Sequence, residues 1–205
     1  MTIPSSFGRR TLVSLVIGGF QLYSIIYFTP GVCTRTIPHN DSQVNALCIS
    51  PDGQLLAACG YQHIKMFDVQ GNNANPVVNY EGILKNVMDV GFQDEARWMY
   101  TGGEDGTAKI WDLRMRNLNC SRAYATGPQH QPTNTVSSGS ASNLSPVNSV
   151  KLHPNQQDLI IGDQNGNIHL WDIRSKAESA VIVCPQVGAS IQSISIDPQG
   201  LTFSP

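Results

Sequence analysis

Charge is scarce in this chain. Only 14% of its 205 residues are charged, the formal net charge is -2, and neither a block of Lys and Arg nor an acidic tail stands out. This removes the basic field that a phosphate backbone requires, so no nucleic-acid partner is expected. Cysteine is equally sparing. Cys33, Cys48, Cys59, Cys120 and Cys184 are odd in number and never spaced as CxxC, which argues against a disulfide framework or a zinc knuckle. They are expected as reduced thiols on strands or in the core. No HExxH or GxSxG motif occurs, and His39, His63, His130, His153 and His169 fall on different turns or strands. A nucleophile, a base and an orienting group cannot be assembled from them, so no catalytic residue, metal ligand or cofactor is expected.

What is present begins with an apolar leader, residues 1–31. Arg9 and Arg10 precede an uncharged run from Thr11 to Phe28, a pattern shared with signal anchors. The run is slightly short for a bilayer span and is interrupted by Ser14, Gly18, Gly19, Gln21 and Ser24. It ends without a small-residue cleavage site, and it shows no repeat pattern.

A repeat organises the rest. VNALCISPDGQLLAACGYQHIKMFDV from Val44, VMDVGFQDEARWMYTGGEDGTAKIWDL from Val87 and VNSVKLHPNQQDLIIGDQNGNIHLWDI from Val147 align, and a fourth copy begins at Ile191. The copies occupy about 44–69, 87–113 and 147–173 within a region spanning 32–205. Each reads as strand, polar turn, strand, tight turn, strand. Asp105-Gly106 and Asn165-Gly166 suit two-residue hairpins, because these dipeptides accept positive φ at both central positions. Short β-prone stretches at 33–37, 77–80, 120–124 and 180–184 supply a fourth, outer strand. Between 125 and 146 Ser, Gly, Pro, Asn, Thr and Gln predominate and large apolar groups are few, which predicts a flexible insertion.

Four strands per copy, ending in Trp111-Asp112 and Trp171-Asp172 with Phe67-Asp68 as a variant, resemble the WD-repeat family. The fold class implied is an all-β propeller, present here as about three to four of an expected seven blades. Trp111 and Trp171 are expected to pack between blades. In that family a His, a Ser or Thr, an Asp and a Trp can form a hydrogen-bonded tetrad. Here the match is partial, with Asp105, Thr107 and Trp111 but no upstream His in one copy, and with His39 in another where Tyr61 and Phe67 replace the partners. These blades are therefore expected to lean on apolar packing.

GVCTRTIPHNDSQVNALCISPDG from Gly31, AACGYQHIKMFDV from Ala57, RWMYTGGEDGTAKIWDLR from Arg97 and LHPNQQDLIIGDQNGNIHLWDI from Leu152 narrow the likeness. Together they resemble the G-protein-β-subunit-like WD-repeat subunits of target of rapamycin (TOR) kinase complexes, from Gly31 to about Asp197. The resemblance implies a non-catalytic scaffold that binds and stabilises the TOR kinase catalytic domain alongside other TOR complex subunits. It would be cytoplasmic, recruited with those complexes to lysosomal membranes, and would touch membrane only indirectly or through the leader. The family begins its first blade before the equivalent of Gly31 and closes its ring well beyond Pro205. The chain is therefore expected to be altered at its start and truncated at its end. A different WD adaptor, such as a ubiquitin-ligase substrate receptor or a trafficking coat subunit, is the competing assignment.

The candidate kinase contacts are amides at the openings of inner strands. Gln43 and Asn45 flank Val44, and Asn86 and Asn148 occupy corresponding positions in later copies. Each amide offers two donors and an acceptor to a partner. The same groups equally suit bonds between neighbouring blades.

Overall fold

The structure is a computed structural model. It describes residues 10–17, 20–27, 33–39, 43–71, 73–80, 82–114, 118–126, 144–183, 189–197 and 203–204. Between 10 and 39 it describes the backbone and only one side chain, Ile37. The expected insertion therefore lies outside the described residues over 127–143, as do Cys184 and His130. Contacts divide the chain into Met1–Gln43 and Val44–Pro205.

In the first unit, β1 (Arg10–Ile17) and β2 (Phe20–Tyr27) pair antiparallel, from Arg10 opposite Tyr27 to Ile17 opposite Phe20. Strand β3 (Cys33–His39) adds to β2, completing a three-stranded sheet. The leader expected to lack a blade pattern thus forms a hairpin. Its run is rich in Val, Ile and Tyr, and Gly18-Gly19 stands between the paired ends, a dipeptide favoured in two-residue hairpins. The stretch at 33–37 joins this sheet and not the copy that follows it. No helix among the described residues is long and apolar enough to cross a membrane.

The second unit holds three four-stranded antiparallel sheets. The first runs β4 (Val44–Ile49), β5 (Leu55–Gly60), β6 (His63–Asp68) and β7 (Val78–Asn79). The second runs β8 (Val87–Phe92), β9 (Trp98–Gly103), β10 (Thr107–Asp112) and β11 (Arg122–Ala125), and the third β12 (Val147–Leu152), β13 (Asp158–Asp163), β14 (Asn167–Asp172) and β15 (Ala177–Val183). Strands β16 (Ser195–Ile196) and β17 (Phe203–Ser204) pair in the fourth copy. Each second strand, β5, β9 and β13, is intermediate at its first residue and buried at the next five. A strand covered on both faces needs no alternation, which is why these read as nearly continuous apolar runs.

The cores lie between sheets. Trp111 packs with Met66, Met99 and Val90, and its ring meets Tyr80 of the preceding sheet at 5.2 Å edge-on. Trp171 packs with Val150, Leu159 and Ile173, and Tyr124 of the preceding sheet lies 5.4 Å from it. Both indoles are thus inter-blade wedges, as expected from the repeat, and truncation of either to Ala would cost about 3–5 kcal/mol. Gly102 sits where a Cβ would overlap Val147 and Val150 of the next inner strand, and Gly162 repeats this against Ile191 and Ile194. Adjacent blades approach closely because neither position carries a side chain.

The tight turns differ from expectation. Gly106 and Gly166 have φ of 74° and 86°, but Asp105 and Asn165 stay outside the positive-φ region. Gly106 N donates to Gly103 O at 3.1 Å, so the loop is a three-residue turn closed by a left-handed glycine. The Asp105 side chain holds it there by accepting from Thr107 N and Thr107 Oγ1 at 3.0 and 2.7 Å.

Candidate partner-binding surface

Each inner strand opens with the same irregularity. Val44 faces Gly60 and Ala46 faces Cys59, leaving Asn45 as an extra residue; Met88 and Asn148 are the extra residues of β8 and β12. A bulge redirects its residue's side chain. Asn45 Nδ2 donates to Val87 O at 2.8 Å, and Asn148 Nδ2 donates to Ile191 O at 3.0 Å. Val87 and Ile191 each open the following copy, so both amides make the same stitch to the next blade. Met88 has no side-chain N–H to offer at that position.

The next residue along makes a second stitch. Asp89 Oδ2 accepts from Val150 N at 2.9 Å, Ser149 Oγ at 3.1 Å and Lys151 Nζ at 2.8 Å. Ser149 Oγ in turn accepts from Ile194 N at 3.1 Å. Inner strands β8 and β12 and the start of the fourth copy are therefore linked through Asp89 and Ser149, where the first copy has Ala46.

Of the four amides expected to meet a partner, three are thus engaged within the ring. Asn45 Nδ2 also reaches Asn86 Oδ1, and Asn86 Nδ2 donates to Glu104 Oε1 at 3.2 Å. Gln43, immediately ahead of β4, is exposed. Among the described residues, Asn45 Oδ1 and Asn148 Oδ1 accept from no other group, so each keeps an acceptor.

Two apolar side chains stand on the same rim. Tyr61 is 56% exposed and Leu84 79% exposed. Their loops are joined: Gln62 N donates to Lys85 O at 3.3 Å, Gln62 Nε2 to Leu84 O at 2.9 Å, and Tyr61 forms a bridge with Asn86. An aromatic and an aliphatic group held on a rigid rim among amides match the composition of interface centres. Sequence pattern did not single out Tyr61 or Leu84 as partner contacts, because both fall between strands where exposure has no periodic signature.

The polar groups beneath the blades are structural. Trp111 Nε1 donates to Thr101 Oγ1 at 3.0 Å, while Asp105 binds Thr107 and the Lys109 ammonium. The adjoining cavity, lined by Thr101, Asp105, Lys109 and Trp111 among others, is about 10 Å³, room for no more than a water molecule. In the third copy His169 is clasped between Glu178 Oε1, 2.6 Å from Nδ1, and Asp163 Oδ2, 3.3 Å from Nε2. Burial lowers the His169 pKa, but the two carboxylates outweigh it and the net shift is upward. Burial raises that of Asp163, yet hydrogen bonds from His169 and Asn167 bring it below the ordinary value. These buried bonds add to the apolar packing on which the blades lean. Asp112 and Asp172 cap the turns that follow them, accepting from Arg114 N at 3.0 Å and Arg174 N at 2.7 Å. Burial pushes the Cys48 and Cys59 thiols up, which suits inert core residues. Among the described residues no group of three His, Cys, Asp or Glu is placed to hold a metal ion.

Comparison with known proteins accords with this architecture. Residues 71–202 match the β-propeller family described as "Nucleolar protein 10-like, N-terminal domain", and residues 31–68 match "WD domain, G-beta repeat". "Target of rapamycin complex subunit LST8" of Bos taurus is 51% identical over 197 residues, which are 96% of this chain and 55% of that protein. The Mus musculus protein of the same name is 44% identical over the same shares, and that of Saccharomyces cerevisiae is 40% identical over 83% of this chain and 50% of its own. The chain spans about half the length of these relatives. An alignment of 197 residues out of 205 also runs through most of the leader, in keeping with its strands. By its repeats, its inter-blade tryptophans and these relationships, the chain belongs to the WD-repeat β-propeller family, as a homologue of the LST8 subunits of target of rapamycin complexes.

Proposed function

We propose that this chain is a non-catalytic scaffold that docks on the catalytic domain of a TOR kinase through the rim carrying Tyr61, Leu84, Asn86 and the flanking amides Gln43, Asn45 and Asn148. Exposed Tyr61 and Leu84, held on joined loops beside an amide-rich strand opening, carry the proposal. The names of the relatives support the choice of partner. Tyr61 and Leu84 supply the apolar anchors, and Asn45 Oδ1 and Asn148 Oδ1 accept from the partner while their amide nitrogens hold the ring. The scaffold stabilises the kinase domain and performs no phosphoryl transfer itself. It works in the cytoplasm and reaches lysosomal membrane surfaces with its complex.

The test is co-purification of TOR kinase with the chain carrying Tyr61→Ala and Leu84→Asp. Each is expected to weaken binding by about 2 kcal/mol, with little change in folding because both side chains are exposed. Gln43→Glu should act in the same direction. Asn45→Asp is a poorer probe, since it also removes the donor to Val87 O. Undiminished kinase recovery with the Tyr61 and Leu84 variants would remove this rim from the interface.

A further inference from the structure

Strand β15 is the outermost strand of the third sheet, and among the described residues no strand pairs with its outer edge. It is seven residues long, whereas β7 has two and β11 four. Its exposed large apolar residues are Val181, Ile182 and Val183, the last 68% exposed. Successive residues point to opposite faces, so apolar surface lies on both sides of the edge. Open edges are ordinarily blunted by shortness, lysine or proline. From Ser179 to Val183 there is neither lysine nor proline.

Charge at the start of this edge is net positive. The strand's only acid, Glu178, is turned into the blade with its side chain 5% exposed and held by His169. Arg174 and Lys176 stand in the turn ahead of the strand. The nearby carboxylate, Asp172, is occupied by Arg174 N and Ser175 N. Those backbone bonds leave Asp172 charged, so Arg174 and Lys176 outnumber it by one, and the edge carries a net positive charge at its N-terminal end and is apolar at its C-terminal end.

We propose that the outer edge of β15 receives an extended segment of a partner protein by antiparallel strand addition. The segment carries β-branched residues at its N-terminal end and carboxylates at its C-terminal end. In that orientation its apolar half lies opposite Val181, Ile182 and Val183, and its acids face Lys176 and Arg174. Backbone hydrogen bonds supply affinity, and the alternate side chains and terminal charges supply selectivity. A second copy of this chain fits less well, because antiparallel pairing of two β15 strands offers no exposed carboxylate to either basic end. None of the residues of this edge is among those assigned to the kinase-facing rim.

The probe is a fluorescein-labelled octapeptide, Thr-Val-Thr-Val-Ser-Thr-Asp-Glu, titrated against the full 205-residue chain by fluorescence anisotropy. Saturable binding is expected, weakened about ten-fold when the last two residues become Lys-Lys. N-methylation of one alternate set of peptide amides should abolish binding and methylation of the other set should spare it, a signature of a strand ladder. Val181→Lys with Val183→Lys in the chain should weaken binding by a similar factor of about ten with an unchanged circular dichroism spectrum. No binding by a monomeric chain overturns the proposal, as does binding indifferent to N-methylation or to the terminal charges. Self-association in sedimentation that Val183→Lys abolishes would assign the edge to a second copy instead.

Discussion

Replacing Asp89 by Ala removes the acceptor that ties the second blade to the third. The amide of Val150, a fully buried residue, then faces a methyl group, and an unsatisfied buried donor costs about 1–3 kcal/mol. Lys151 also loses its ion partner, but its side chain is 34% exposed, so that loss adds only about 0.5 kcal/mol. Ser149 Oγ keeps its bond from Ile194 N but loses the oxygen it donates to. The total is about 2–4 kcal/mol. Asp89→Asn retains an oxygen for the Val150 amide but surrenders the charge and the second oxygen, which accepts from Val90 N at 2.9 Å, for about 1–2 kcal/mol. Urea titration followed by tryptophan emission gives both values, and hydrogen exchange at the Val150 amide reports the bond itself. Equal destabilisation by Ala and Asn, or an unchanged exchange rate at Val150 in Asp89→Ala, would refute the assignment of Asp89 as an inter-blade acceptor.

Thr101→Val leaves the Trp111 indole N–H without its acceptor in nearly the same volume, and should cost about 1–2 kcal/mol in the same titration. In the third copy Ile161 occupies the position of Thr101, and buried Trp171 Nε1 has no hydrogen-bond partner. Ile161→Thr should therefore destabilise by less than an ordinary buried Ile→Thr exchange, because the new hydroxyl meets that N–H. The His169 clasp predicts a pH dependence. Its folded pKa is raised above the ordinary 6.5, so its contribution is complete below that value and is lost as pH climbs through the raised one. Asp163 acts at the opposite end: its folded pKa lies below 3.8, and its contribution is lost as pH falls through the lowered value. The urea midpoint should fall as pH rises above the ordinary histidine value in the parent chain and stay level over the same range in His169→Gln. Ala96 has φ of 52°, a conformation glycine adopts without strain, so Ala96→Gly should raise stability by about 0.5–1 kcal/mol in thermal unfolding.

The sequence by itself determined the number of copies, the alternation of strand and turn within each, and the placing of Trp111 and Trp171 between blades. These features are local: turn residues act through their own dihedral preferences, and a strand buried on two faces is apolar throughout whatever it packs against. The leader was legible only as an apolar run, because length and hydropathy alone do not separate a membrane-like segment from a hairpin of two strands. Only the tertiary structure decided what the rim amides do. The bulges at Asn45, Met88 and Asn148 shift the register between each inner strand and the second strand of its own sheet, and with it whether an amide turns toward solvent or toward the next blade. The same holds for His169, Asp163 and Glu178, which lie on three strands of one sheet and meet only when the pairing of β13, β14 and β15 is known. Exposure of Tyr61 and Leu84 likewise follows from how two loops are joined across blades, a relation that no residue type or spacing encodes.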